Sequence, residues 1–315
     1  MTTVIVGSRA SHLARAQVRE WLGPMRERFP RVRFTQRIIL EGGDKDRRTA
    51  TLAAVAKTSG GSAFSTNQET ALLEGTVDVI VHSLKDLPTS MPEGLALLPT
   101  PARRQDVRDA LCGNTLANLP KGARVGTGAP RRIGQLLALR PDLEMVRIRG
   151  NVPPRLGRLR GANALDAVVL AAAGLNRLGL SNAISEHLPI NVFPPSPGQG
   201  ALGIQVRDGS EAARLLADTG DHVLDAEVRA ERALLAALHG GCSVPIGAYS
   251  KAHRDGNLTL SAQVSAVDGS WHVTARYTGS VRGPEKLGRQ VAEELLDQGA
   301  EEILSTARQR PPAAP

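Results

Sequence analysis

The chain has 315 residues and a mass of 33.3 kDa, enough for two or three ordinary domains. Hydrophobic residues make up 41%, which excludes wholesale disorder, and aromatics only 3%, which argues against a base-stacking single-strand binder. The net charge is +8, and 33 of the 39 basic residues are Arg, so partners bearing carboxylates or phosphates come first to mind.

The first half alternates short apolar runs with helical patterns. Thr3-Val4-Ile5-Val6 reads as a strand, and Gly7-Ser8-Arg9 turns it into a helix that Ser11 can cap. Gly23-Pro24 is expected to end or kink that helix. A strand across 32–40, a helix over 67–73 and a strand over 77–81 follow, an alternation that builds a parallel, doubly wound sheet. After residues 95–99 the pattern restarts. Strands are expected at 123–126, 145–148 and 166–170, and helices at 131–140, 155–160 and 173–178. The Pro-rich Phe193-Pro194-Pro195-Ser196-Pro197-Gly198 reads as a crossover, and Leu202 to Val206 as one more strand back in the first lobe. Beyond it come a helix over 225–238, strands at 258–264 and 272–277 and a closing helix over 287–296. Three domains are expected: 1–100 with 200–219, then 101–199, then 220–309, followed by a disordered tail, 310–315.

Arginines recur where strands end and helices begin: Arg9, Arg131, Arg132, Arg149, Arg155 and Arg177. In open α/β sheets the carboxyl ends of strands face the ligand crevice, so this set points to a ligand with several carboxylates. The stretch Val81-His82-Ser83-Leu84-Lys85-Asp86-Leu87-Pro88 follows an apolar strand and puts Lys85 beside Asp86 at such an end. A carboxylate there can move a proton or stabilise positive charge, and a surface ion pair is the plainer alternative. Cys242, in Gly240-Gly241-Cys242-Ser243-Val244-Pro245, lies past a helix on a loop whose glycines permit close approach by a bulky group. Cys112, in Ala110-Leu111-Cys112, reads as a small buried strand residue. The seven His show no metal-ligand spacing, and there is neither a GxGxxG nor a GxxxxGK[ST] loop. The first residues, MTTVIVGSRA, carry no basic-then-apolar leader pattern and there is no membrane-length apolar run, so a cytoplasmic protein is expected.

Taken together, RASHLARAQ (9–17), VHSLKDLP (81–88), VGTGAPRR (125–132), IRGNVPPRL (148–156), AAGLNRLG (172–179), PGQGALGI (197–204), ERALLAALHGGC (231–242) and SVPIG (243–247) resemble the porphobilinogen deaminase, or hydroxymethylbilane synthase, family over essentially the whole chain. The resemblance implies an α/β fold of two periplasmic-binding-protein-like doubly wound lobes plus a C-terminal α+β domain. It also implies a covalent dipyrromethane cofactor joined by a thioether to Cys242. The implied reaction is condensation of four porphobilinogen molecules with loss of ammonia, ending in release of the linear tetrapyrrole hydroxymethylbilane. By the same resemblance Asp86 is the catalytic residue, and Ser83, Lys85, Thr127, Arg131, Arg132 and Arg155 hold the cofactor. Arg9, Ser11, Arg149 and Arg177 hold the incoming substrate or growing chain. A monomer without nucleic-acid, membrane or metal partners is implied as well.

The chain departs from the family pattern at several anion contacts. Gly60 to Glu69 lacks the usual lysines, leaving Lys57 nearby. Gly128-Ala129-Pro130 replaces a hydroxyl-bearing stretch, Pro153-Pro154 removes backbone donors and a hydroxyl, and Ser243 stands for a Gln. Each lost contact weakens anion binding by about 1 kcal/mol. A paralogue that binds anionic pyrroles or small acids without full turnover is the alternative these departures suggest.

Overall fold

The computed structural model describes residues 2–40, 65–239 and 244–309. β1 (Thr3–Ser8) buries Val4 and Val6. α1 (His12–Arg28) begins where Ser11 Oγ accepts the Ala14 N–H at 3.2 Å, the cap expected from the sequence. Pro24 lies inside this helix, which runs on to Arg28, so the end expected at Gly23-Pro24 does not occur there. Proline removes one N–H, but Trp21, Leu22 and Met25 are all buried and hold the last turns to the core. β2 (Arg33–Ile38) pairs parallel with β1, and Phe34 meets Trp21 edge to face at 6.2 Å. α2 (Thr66–Leu73), β3 (Val79–Ser83), a 3₁₀ turn (Leu84–Asp86) and β4 (Leu95–Leu97) follow.

The next stretch builds a second sheet. It contains β5 (Asp109–Cys112), β6 (Arg124–Gly126), α3 (Pro130–Leu139), β7 (Glu144–Val146) and α4 (Val152–Gly157). Then come β8 (Ala167–Ala171), α5 (Ala172–Arg177) and β9 (Ile184–His187), in the order β7-β6-β8-β5-β9. The helix expected over 155–160 starts earlier, at Val152, because Pro153 and Pro154 fit a first helical turn, where a missing N–H costs nothing. β10 (Leu202–Arg207) and α6 (Glu211–Leu216) return to the first sheet, where β10 enters antiparallel between β3 and β4. The order there is β2-β1-β3-β10-β4.

Both five-stranded sheets are therefore mixed rather than wholly parallel, as β5 is antiparallel to β8 and β9 too. A parallel neighbour needs a crossover back to the same sheet edge, and β10 arrives instead by a long excursion through the second sheet. The remaining elements are α7 (His222–Ala237), β11 (Ile246–Ala252), β12 (Asn257–Ser265), β13 (His272–Ser280), α8 (Pro284–Asp297) and α9 (Ala300–Gln309). The last three strands form an antiparallel meander.

The chain divides into two compact units, Met1–Arg104 with Ala201–Asp225, and Gln105–Gly200 with Ala226–Pro315. The stretches expected as second and third domains thus share one unit, although each has its own sheet and apolar core. Their packing explains the union. A side chain on Gly134 of α3 would collide with the Ala266 carbonyl, and Gln135 bonds Gln263 and the Pro194 carbonyl. Glu231 accepts the N–H groups of Gly198 and Ser250 in buried surroundings. The 310–315 tail lies outside the described residues.

Candidate functional site

In the first unit, β3 delivers His82 and Ser83 to the 3₁₀ turn that carries Lys85 and Asp86. Leu84 and Leu87 are buried on either side of that pair, and the Leu87 N–H closes the turn onto the Leu84 carbonyl at 3.1 Å. The two apolar anchors leave Lys85 and Asp86 half-buried at the strand's carboxyl end. Ser83 Oγ accepts from Gln17 Nε2 at 2.6 Å, so its own proton remains available to a ligand. Ser11 is in the same condition: its oxygen caps α1, and its hydroxyl can still donate.

His82 is buried, with Nε2 at 2.9 Å from Gln205 Oε1. Burial pushes its imidazole down to about 4; the Gln205 hydrogen bond opposes that shift, and the positive charge of Arg9 adds to it. A neutral His82 thus supports the turn from beneath. No local sequence signal marks that partner, because Gln205 arrives only with β10.

The second unit brings three charges together. Asp109, at the start of β5, is fully buried and accepts from Arg131 Nη2 at 2.7 Å and from Arg132 Nη2 at 2.6 Å and Nε at 3.1 Å. Gln199 Nε2 adds a fourth bond at 3.0 Å. Burial alone would raise the Asp109 carboxyl, but the two guanidinium charges and the Gln199 bond outweigh it and hold it well below the usual carboxylate range. Arg131 further donates to Gln135 Oε1 and the Pro194 carbonyl, and Arg132 to the Val169 carbonyl. Two buried cations share one anion, which leaves one positive charge in excess. Asp109 had no local signal in the sequence, since its partners lie 22 and 23 residues away.

The same unit holds the other residues singled out from the sequence. Thr127 is fully buried; its Oγ1 accepts from the Ala129 N–H at 3.3 Å and its N–H bonds the Val146 carbonyl at 3.0 Å. Gly128 follows where an added Cβ would lie 2.8 Å from the Ile148 carbonyl oxygen, so only glycine fits without a shift. α3 starts at Pro130 with no side-chain cap from Ala129, which leaves first-turn N–H groups without a side-chain acceptor at that end. Arg149 is half-buried, and its Nη1 is buried with no hydrogen-bond partner among the described residues. Arg155 Nε donates to the Gly150 carbonyl at 2.7 Å, and Arg177 Nη2 to the Gly200 carbonyl at 2.9 Å. Excess buried positive charge and an orphaned guanidinium nitrogen suit an anion with several carboxylates, which is the chemistry of a carboxylated dipyrromethane.

Cys242 lies outside the described residues, as do Lys57 and residues 60–64 of the Gly60–Glu69 stretch. The helix that precedes the cysteine is described: α7 closes with His239 in the left-handed region at φ 48°, immediately before Gly240. Among the described residues no helix is long and apolar enough to cross a membrane. No group of His, Cys, Asp and Glu there could hold a metal ion.

Comparison with known proteins covers nearly the whole chain. Residues 4–214 match the family model described as "Porphobilinogen deaminase, dipyromethane cofactor binding domain", and residues 226–297 match its C-terminal domain. The porphobilinogen deaminase of Geobacter sulfurreducens is 44% identical over 97% of this chain and 95% of its own. That of Desulforudis audaxviator is 43% identical over 97% of this chain and 98% of its own. Among solved structures, the methionine-binding protein MetQ is 12% identical with a TM-score of 0.41, covering 69% of this chain and 89% of that one. Two matched domains in register and relatives above 40% identity over almost full length leave one assignment: the chain belongs to the porphobilinogen deaminase family.

Proposed function

We propose that this chain joins four porphobilinogen molecules head to tail, with loss of one ammonia per molecule, and that water then cleaves the completed tetrapyrrole from the cofactor, adding as the hydroxyl of hydroxymethylbilane. The observation that carries the reading is the buried Arg131–Asp109–Arg132 cluster, in which two guanidinium groups share one carboxylate. A site with surplus buried positive charge needs an anion from outside the chain, and each pyrrole of this chemistry brings an acetate and a propionate. The retained turnover residue Asp86 favours catalysis over mere binding.

In this reading Cys242 carries the dipyrromethane as a thioether, and Ser83, Lys85, Thr127, Arg131, Arg132 and Arg155 hold its side chains. When bound, the dipyrromethane supplies the nucleophilic pyrrole carbon on which the chain is built. Arg9, Arg149 and Arg177 take the carboxylates of the incoming molecule, and Ser11 donates to it. Asp86 accepts a pyrrole N–H and stabilises the positive charge that develops on the substrate ring as its aminomethyl nitrogen departs. A monomer in the cytoplasm, without nucleic-acid or membrane partners, goes with this reading.

Intact-mass measurement of the purified protein tests it. The expected mass exceeds that of the bare chain by two pyrrole units, and grows by further single units when porphobilinogen is added. Cys242→Ala is expected to show neither increment. A wild-type mass that stays at the bare chain after incubation with porphobilinogen refutes the reading.

A further inference from the structure

β7 is an edge strand, and beyond its last residue, Val146, the chain continues as Arg147, Ile148 and Arg149. Val146 and Ile148 pack into the apolar cluster that holds Val168 and Leu170, whereas Met145 packs into the cluster on the other face of the sheet. That alternation turns Arg147 and Arg149 away from the side where Val146 and Ile148 are buried. The segment runs beside the start of α3, since the Val146 carbonyl takes the Thr127 N–H and the Ile148 carbonyl crowds Gly128.

Among the described residues, nothing meets the charge of either arginine. Arg149 Nη1 is buried without a partner among them. Arg147 is half-buried, and among the described residues no carboxylate or carbonyl pairs with it. Burial alone draws its guanidinium below the ordinary value, and no anion offsets that shift. A cation that has lost water without gaining an anion marks a place where the anion comes from outside the chain. Arg140, by contrast, has Asp142 to itself, and Arg131 and Arg132 share Asp109.

We infer that Arg147 is a second carboxylate-binding cation beside Arg149, and that the pair takes the two carboxylates of a single pyrrole unit. Two residues of extended chain span about 7 Å, a separation that an acetate and a propionate on adjacent ring carbons can bridge. The inference rests on the function proposed above and adds to it a second cation for the carboxylates of the bound pyrrole.

The test compares Arg147→Gln, Arg147→Lys and Arg149→Gln in the cofactor-loaded enzyme. Two readouts are used: steady-state kinetics, and calorimetric binding of a pyrrole that bears both carboxylate arms but lacks the aminomethyl leaving group. Arg147→Gln is expected to raise KM and the Kd of the probe about 10-fold, with a smaller change in kcat, and Arg147→Lys to recover most of the loss. Its urea midpoint is expected to equal or exceed that of the wild type, because an unpartnered half-buried charge has been removed. An unchanged KM and Kd in Arg147→Gln, or a lowered midpoint, overturns the inference. If Arg149→Gln weakens binding in that case, only the role of Arg147 fails; if Arg149→Gln is also silent, the carboxylate site proposed for this unit fails with it.

Discussion

His82 allows the sharpest physical prediction. Its imidazole titrates near 6.5 in an unfolded chain and at about 4 in the folded one, because burial disfavours the charged form. As pH falls through that window the unfolded chain takes up a proton that the folded chain refuses. Stability is therefore complete above about pH 7 and falls by about 1.4 kcal/mol per pH unit toward pH 4, for a total near 3 kcal/mol. Other groups titrate in the same range, so the measurement has to be a difference. His82→Gln keeps a donor for Gln205 Oε1 but cannot bind a proton. Equilibrium urea unfolding of both proteins between about pH 7 and pH 4.5 should show the wild type losing about 2–3 kcal/mol more than the variant. A stability difference that stays constant across that interval would refute the buried, neutral imidazole.

The remaining predictions concern the charged cluster, the helix cap and the reaction. Asp109→Asn leaves two buried guanidinium groups without an anion and should cost about 3–5 kcal/mol, read as a lowered urea midpoint at an unchanged slope. Since Asp109 is held below the usual range, its contribution is present above the ordinary carboxylate pKa and is lost only in strong acid; wild-type unfolding below about pH 3 should show this. Ser11→Ala should cost about 1 kcal/mol through loss of the α1 cap, and Ser11→Thr should restore most of it, both by thermal unfolding. Asp86→Asn should keep the cofactor mass while lowering turnover about 100-fold or more; wild-type rates in that variant would remove Asp86 from the chemistry.

What could be read from the residues alone follows the range of the interactions involved. The Ser11 cap, the helix over 66–73 and the strand at 202–207 are written in neighbouring residues, and each stands close to its expected place. Pro24 does not end its helix, because its local signal is outweighed by three buried side chains of the same helix. β9 and α6 are short segments without a strong period, whereas α9 carries a clear amphipathic period, with Ala300, Ile303 and Leu304 buried, that the expectations above do not include. Arginines at strand ends were visible, but their condition was not. Arg131 and Arg132 are tied to Asp109 across more than 20 residues of chain, and the unmet charges of Arg147 and Arg149 depend on which face of β7 is buried.

The antiparallel entry of β10 between β3 and β4 also sets a timetable for synthesis. Until residues 202–207 leave the ribosome, β3 has an open hydrogen-bonding edge and β4 has no strand to join. Roughly 100 residues of the second sheet must be translated first, which takes about 5–20 s at common elongation rates. During that wait the N-terminal segment is a nascent sheet with a sticky border, open to edge pairing with other chains or to capture by a chaperone. Slowing translation between codons 105 and 200 should therefore lower the yield of soluble protein without changing any contact of the finished fold.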